Sequence, residues 1–181
     1  MKTREELLAA LRAYAPFNEH EAAMRERIIE FVTRHEDCFE RTQQAGHVTA
    51  SAWVVNRERT RTVLVHHARL NRWLQPGGHC DGDADVLGVA LRETREETGL
   101  AAAPAGGGIF DVDAHEIPAR RAEPAHVHYD IRFLLEADDG AEVAVSAESH
   151  DVRWVSLEEV RALNTDESVL RLVAKTAAWG R

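Results

Sequence analysis

The stretch PGGHCDGDADVLGVALRETREETGL, residues 76–100, decides how the rest of the chain is read. It begins as a glycine-bearing loop and continues as a helix. At about 100° per residue, Glu93, Glu96 and Glu97 fall within one sector roughly 100° wide. Leu87, Ala90, Leu91 and Thr94 follow the i, i+3, i+4, i+7 rule and take another face. One face therefore packs into a core while the other presents three carboxylates. Like charges at this spacing repel and weaken a helix unless a cation sits between them. A divalent metal answers that need, and magnesium suits a carboxylate-plus-phosphate site. A Glu-rich helix is equally consistent with a solvated face, Arg92 and Glu96 then being an ordinary i,i+4 pair. The Gly77-Gly78 pair favours the site, because residues without a Cβ let the backbone approach a ligand closely.

Gly78, Arg92-Glu93, Glu96-Glu97 and Gly99-Leu100 also carry a resemblance. They stand at the spacing of the Nudix box, the signature of the Nudix hydrolases: Gly, five residues, Glu, seven residues, then Arg-Glu-apolar-x-Glu-Glu-x-Gly-apolar. Two positions depart from it. Ala84 stands where the first Glu belongs, flanked by Asp83 and Asp85, and Thr94 takes the apolar position after Arg-Glu. The box covers residues 78–100, and the strand-and-helix layout resembles the family over residues 47–163. The resemblance implies an α+β fold, an α/β/α sandwich around a mixed sheet, with the loop and helix of the box lining the active site. It implies Mg²⁺ or Mn²⁺ as cofactor. Glu93 and Glu97 are the implied metal ligands, Glu96 is a ligand or orients a metal-bound water, and the Gly77 carbonyl is a further ligand position. Arg92 fixes the glutamates by ion pairing. Asp83 or Asp85 could stand in for the acid missing at Ala84. A general base in this family can come from outside the box, and Glu148, just ahead of the strand-like VRWVS, is the candidate.

The implied reaction is metal-dependent hydrolysis of a pyrophosphate bond in a nucleoside diphosphate linked to another moiety, such as a nucleotide sugar or dinucleotide. Two other readings stay open. An isoprenoid diphosphate isomerase would call on a catalytic Cys, for which Cys80 in the box loop is available. A non-catalytic ligand-binding protein of the same fold would explain Ala84 and Thr94, but the N-terminal helices lack a basic recognition helix.

Composition sets bounds on these readings. The chain has 181 residues, enough for one well-buried domain with an appendage. Its net charge of −9 argues against non-specific nucleic-acid binding and favours a small nucleotide-type substrate held through metal ions and local arginines. Two cysteines far apart, Cys38 and Cys80, make neither a disulfide framework nor a zinc motif, which points to the cytoplasm. No apolar run approaches the ~20 residues of a membrane span, and the N-terminus lacks the pattern of a signal peptide.

Two units are expected, an N-terminal helical extension over residues 1–46 and a Nudix domain over residues 47–181. Thr3-x-x-Glu6 and Asn18-x-x-Glu21 read as caps of two amphipathic helices. These helices either pack on the core or form the interface of a homodimer. Residues 47–55 and 62–68 read as antiparallel strands. Residues 101–108 read as a small-residue connection and residues 109–117 as a strand with Asp111, Asp113 and His115 on its polar side. Residues 118–124 form a loop. Residues 126–136 are a strand with His126, His128, Asp130 and Arg132 on one face. His-x-His there can hold a transition metal, bind phosphate or pack neutrally, and His79 lies beside the implied phosphate site. Ser156-x-x-Glu159 caps a short helix, and a last helix covers residues 166–178. Trp53, Trp73, Phe110 and Tyr129 could stack on a base but fit the core better.

Overall fold

A computed structural model describes residues 1–119 and 124–179. Residues 120–123, within the expected loop, lie outside the described set.

Two capped helices open the chain. Thr3 accepts from the Glu6 amide at the start of α1 (Arg4–Ala13), and Asn18 accepts from the Glu21 amide at the start of α2 (Glu19–Arg34). Their stripes, Leu7, Leu8 and Leu11 on α1 and Ile28, Phe31 and Val32 on α2, are buried in the protein's own core.

The sheet is built around β1 (Gly46–Val55), every residue of which is buried. Strand β6 (His126–Ala137) runs parallel to it, from Gly46 opposite Val127 to Val55 opposite Glu136. The other edge of β1 is shared. Strand β4 (Gly77–His79) takes Thr49 to Ser51, and β2 (Arg61–His67) meets β1 only at Val55 and Thr62. Most of β2 pairs instead with β3 (Arg72–Leu74) and β7 (Ser149–Ser156). The expected hairpin therefore has the right direction but splays open, because β4 occupies the edge it would have used.

Strand β5 (Ala102–Ile117) lies at the sheet edge and pairs antiparallel with β6. It includes residues 102–108, expected as a connection. An edge strand tolerates Pro104 and the glycines that follow it, and the register shifts between Pro104 and Ile109. The glycine loop is likewise partly strand, since Gly77 and Gly78 belong to β4. Helix α3 (Val86–Thr98) follows, capped by Asp85 and ended by Gly99 in the left-handed region at φ 75°.

The chain closes with a 3₁₀ turn (Glu159–Ala162) and α4 (Glu167–Trp179). Ser156 and Glu159 form a reciprocal cap, Glu159 N to Ser156 Oγ at 3.2 Å and Ser156 N to Glu159 Oε2 at 2.7 Å. Two apolar layers flank the sheet. One joins Val48, Ala50 and Ala52 to α1, α2 and α3. The other joins Trp53, Val55 and Phe110 to Val169, Leu172 and Val173 of α4. Among the described residues, no helix is long and apolar enough to cross a membrane.

Candidate active site

The box helix is anchored by its own departures from the pattern. Thr94 is fully buried, and its hydroxyl donates to the Ala90 carbonyl at 2.8 Å, so the polar group costs little in an apolar position. The buried face differs from the expected one: Val86, Val89, Ala90, Thr94 and Thr98 are buried, while Leu87 and Leu91 are half-buried. Ala84 packs at the margin of the core. Asp83 and Asp85 are engaged locally: Asp83 accepts from the Asp85 amide at 2.9 Å, and Asp85 accepts from the Gly88 amide at 3.3 Å.

That packing turns Glu93 and Glu97 toward β4. A Cβ at Gly78 would lie 2.5 Å from the Glu93 carboxylate, and one at Gly77 would lie 2.7 Å from the Ser51 Cβ. At Gly77 the Ser51 Cα would lie only 2.8 Å from that Cβ, so glycine is required there by close approach, while at Gly78 a Cβ would displace the Glu93 carboxylate. The Gly77 amide donates to Glu97 Oε2 at 2.9 Å. Arg92 reaches Glu93 at 3.3 Å and Asp83 at 3.7 Å. Glu96 is exposed, outside the crevice between α3 and β4. Glu148 is exposed in the turn before β7, its carbonyl accepting from the Ala68 amide at 3.0 Å. It is close enough to Glu97 to act on it electrostatically.

The electrostatics are those of a site short of positive charge. Burial pushes Glu97 up to about 7; the Gly77 N–H opposes this, while Glu93, Glu148 and Glu96 add to it. Burial also raises Glu93, with Arg92 offsetting part of the effect. Among the described residues no Lys or Arg forms an ion pair with Glu97. The crevice fits a divalent cation with oxygen ligands: two half-buried carboxylates converge beside a glycine backbone and repel each other without one.

The remaining candidates sort clearly. Trp53 is buried and its indole N–H donates to Thr176 at 2.8 Å. Trp73 is sandwiched between His66 and the Arg153 guanidinium. Tyr129 stacks on Phe31 with centroids 4.1 Å apart, and Phe110 is buried. All four serve packing. Cys38 and Cys80 are buried free thiols, and burial raises both, Cys38 to about 11 and Cys80 further. Neither is an activated nucleophile, which removes the main support for an isomerase.

One cluster was not foreseen. Asp111 and Asp113, expected on a polar face of β5, are buried. Arg132 on β6, also buried, reaches Asp130 at 2.7 Å and Asp111 and Asp113 at 3.2 Å each. Arg171 and Lys175 of α4 also bind Asp111, at 2.8 and 3.1 Å. Lys175 joins Tyr14 in binding Glu21 of α2. Thr49 and Ser51 donate to Asp130 at 3.0 and 2.9 Å. The alternation of acids on β5 and the shared face of Asp130 and Arg132 were visible in sequence, but the register joining the two strands was not.

The mixed sheet, the helices on both faces and the box crevice together define an α/β/α sandwich with a carboxylate site beside β4, where β1 and β2 part. The family model for the NUDIX domain matches residues 46–175, and the chain belongs to the Nudix family. It is 37% identical over 97 residues to the mouse bis(5'-nucleosyl)-tetraphosphatase [asymmetrical], a match covering 52% of this chain and 59% of the mouse protein. It is 33% identical over 94 residues to a probable DHNTP pyrophosphohydrolase of Lactococcus lactis subsp. cremoris, covering 51% and 55% respectively. The chain thus spans little more than half the length of these relatives. Among solved structures, the MutT protein of Methanosarcina mazei has a TM-score of 0.58 at 20% identity, covering 77% of this chain and 98% of that one. A Caenorhabditis elegans Ap4A hydrolase has a TM-score of 0.56 at 17% identity, covering 73% and 96%. These structures speak to the fold.

Proposed function

We propose that the protein is a metal-dependent pyrophosphohydrolase acting on a nucleoside diphosphate linked to another moiety, such as a nucleotide sugar or dinucleotide. The observation that carries this reading is the pair Glu93 and Glu97, held against Gly77 and Gly78 with no paired cation for Glu97. Glu93, Glu97 and the Gly77 carbonyl would hold Mg²⁺ or Mn²⁺. When bound, such an ion neutralises phosphate charge and acidifies a coordinated water. The chain's own residues supply the rest. Arg92, paired with Glu93 and Asp83, positions the carboxylates. Glu96, at the open side of the helix, orients water from solvent. Glu148 accepts a proton at its carboxylate from the attacking water, acting as general base. The names of the mouse and Lactococcus relatives favour a phosphoanhydride in a nucleotide-type substrate, and dinucleoside polyphosphates join nucleotide sugars as the first compounds to try.

The test is a panel of nucleotide sugars, dinucleoside polyphosphates, nucleoside triphosphates and capped RNA with Mg²⁺ or Mn²⁺. Wild type should turn over at least one class, and Glu97→Gln should lose at least about 100-fold in kcat/KM. Binding without turnover across the panel favours the ligand-binding alternative. Equal turnover by the variant refutes the site.

A further inference from the structure

A second group of ligand atoms lies on the sheet face turned away from α3. In the parallel register of β1 and β6, His47 stands opposite His128, and His126 lies two residues earlier on the same face. One ring nitrogen from each of His47, His126 and His128 lies within 4.8 Å of the other two. His47 is only 2% exposed, yet neither of its ring nitrogens has a hydrogen-bond partner. The Gln43 backbone is close enough to influence the ring but outside hydrogen-bonding geometry. A buried polar group left unsatisfied is costly to the fold. Three imidazoles surround the ring, with His79 and His126 at 5.0 Å and His128 at 4.9 Å between centroids, and the Arg41 guanidinium is near enough to act on it electrostatically.

The tautomers are set by the neighbours. His126 Nδ1 lies 2.9 Å from the Pro124 carbonyl, which can only accept, so Nδ1 carries the proton and Nε2 carries the lone pair. That backbone bond is the support a metal-ligating histidine ordinarily has. With that lone pair His126 Nε2 accepts from His128 Nε2–H at 3.2 Å, a proton that a bound ion would displace. Two nitrogens on a tetrahedral zinc at ~2.0–2.1 Å lie ~3.3–3.4 Å apart, so this pair already has the required spacing. His79 plays another part: its Nδ1 accepts from Arg41 Nη2 at 2.9 Å, which occupies that lone pair, and Asp81 in turn holds Arg41.

We propose that His47, His126 and His128 form a binding site for a transition-metal cation of the zinc class, separate from the carboxylate site of the Nudix box. Imidazole nitrogens suit zinc, copper, iron or nickel and suit magnesium poorly. Three ligands leave a fourth position, and the partial exposure of His126 and His128 opens it to water. Burial, reinforced by the neighbouring histidines, holds His47 down at about 4 and His128 lower still.

The test uses the full chain without an affinity tag, stripped with a chelator, then loaded with Zn²⁺ or Co²⁺ and desalted. Wild type should retain one equivalent of zinc by elemental analysis, and the cobalt form should show visible d–d absorption. A Glu93→Gln/Glu97→Gln variant should keep both signals. His126→Ala and His128→Ala, at part-exposed positions, should bind at least tenfold more weakly with unchanged circular dichroism. X-ray absorption at the zinc edge of wild type needs no variant and should show imidazole scattering from three rings. No retained zinc, retention unaffected by both histidine variants, or an oxygen-only coordination shell would each overturn the site.

Discussion

Two clusters of acids lie in this molecule, and they are held in opposite ways. Around Arg132, the carboxylates of Asp111, Asp113 and Asp130 are buried and paired. Burial alone would raise Asp111, but Arg171, Arg132 and Lys175 outweigh it and hold its carboxyl far below the usual range. At the box, Glu93 and Glu97 are also partly buried, but burial prevails and both are raised. The first cluster carries its cations in the sequence. The second has Arg92 at Glu93 but, among the described residues, no Lys or Arg paired with Glu97, and that difference separates an element that fixes the fold from one built to bind.

The sharpest way to break the comparison is to remove the central cation of the first cluster. Arg132→Met leaves buried Asp130 with no ion-pair partner and Asp111 and Asp113 with only the α4 cations, and should destabilise by about 3–5 kcal/mol, read in urea unfolding. A loss under 1 kcal/mol would show that the cluster is not structural.

At the second cluster the corresponding change should stabilise. Glu97 has a folded value of about 7 against an ordinary 4.5, so its contribution is fully present below about pH 4.5 and is lost as pH rises through 7. Metal-free wild type should therefore lose stability over that window. Glu97→Gln keeps an acceptor for the Gly77 amide and should gain on the order of 2 kcal/mol over wild type at pH 8, with little difference at pH 4.5. Saturating Mg²⁺ should abolish most of the gain by stabilising wild type alone. Equal pH dependence in the two proteins contradicts the assignment.

Smaller effects sharpen the roles. Glu148→Gln should lower kcat about 10- to 100-fold with KM little changed, if the residue takes a proton. A rise in KM alone would make it a substrate contact. Ala84→Glu should change Mg²⁺ affinity less than about threefold while costing about 1 kcal/mol, because Ala84 packs at the core margin. A large gain in affinity would place that position on the metal.

Much of this contrast was legible in sequence at one end and hidden at the other. The box was readable because its spacing lies within one loop and one helix, so Glu93 and Glu97 share a face by local geometry alone. The caps at Thr3, Asn18 and Ser156 were readable for the same reason. Glu96, on the same helical sector, turned out exposed, because Val86 and Thr98 rotate the buried face from the one expected. The Arg132 cluster and the His47 site depend on the pairing of β1, β5 and β6, which brings Arg132 to Asp113 across 19 positions and Thr49 to Asp130 across 81. Alternation on one strand does not tell which neighbour will cover it. Asp111 and Asp113 therefore read as a solvated face until β6 and α4 supplied their cations.

The central claim is that Glu93 and Glu97 form a cation-binding site in which, among the described residues, Glu97 has no Lys or Arg partner. It is tested most directly by calorimetric titration of Mn²⁺ into chelator-treated protein at pH 7, in two buffers of different ionisation enthalpy, with His126→Ala/His128→Ala as background. Because Glu97 is about half protonated there, binding should release roughly half a proton, and Glu97→Gln should release none and bind at least tenfold more weakly. Binding with no proton release, or undiminished in the variant, would contradict the account.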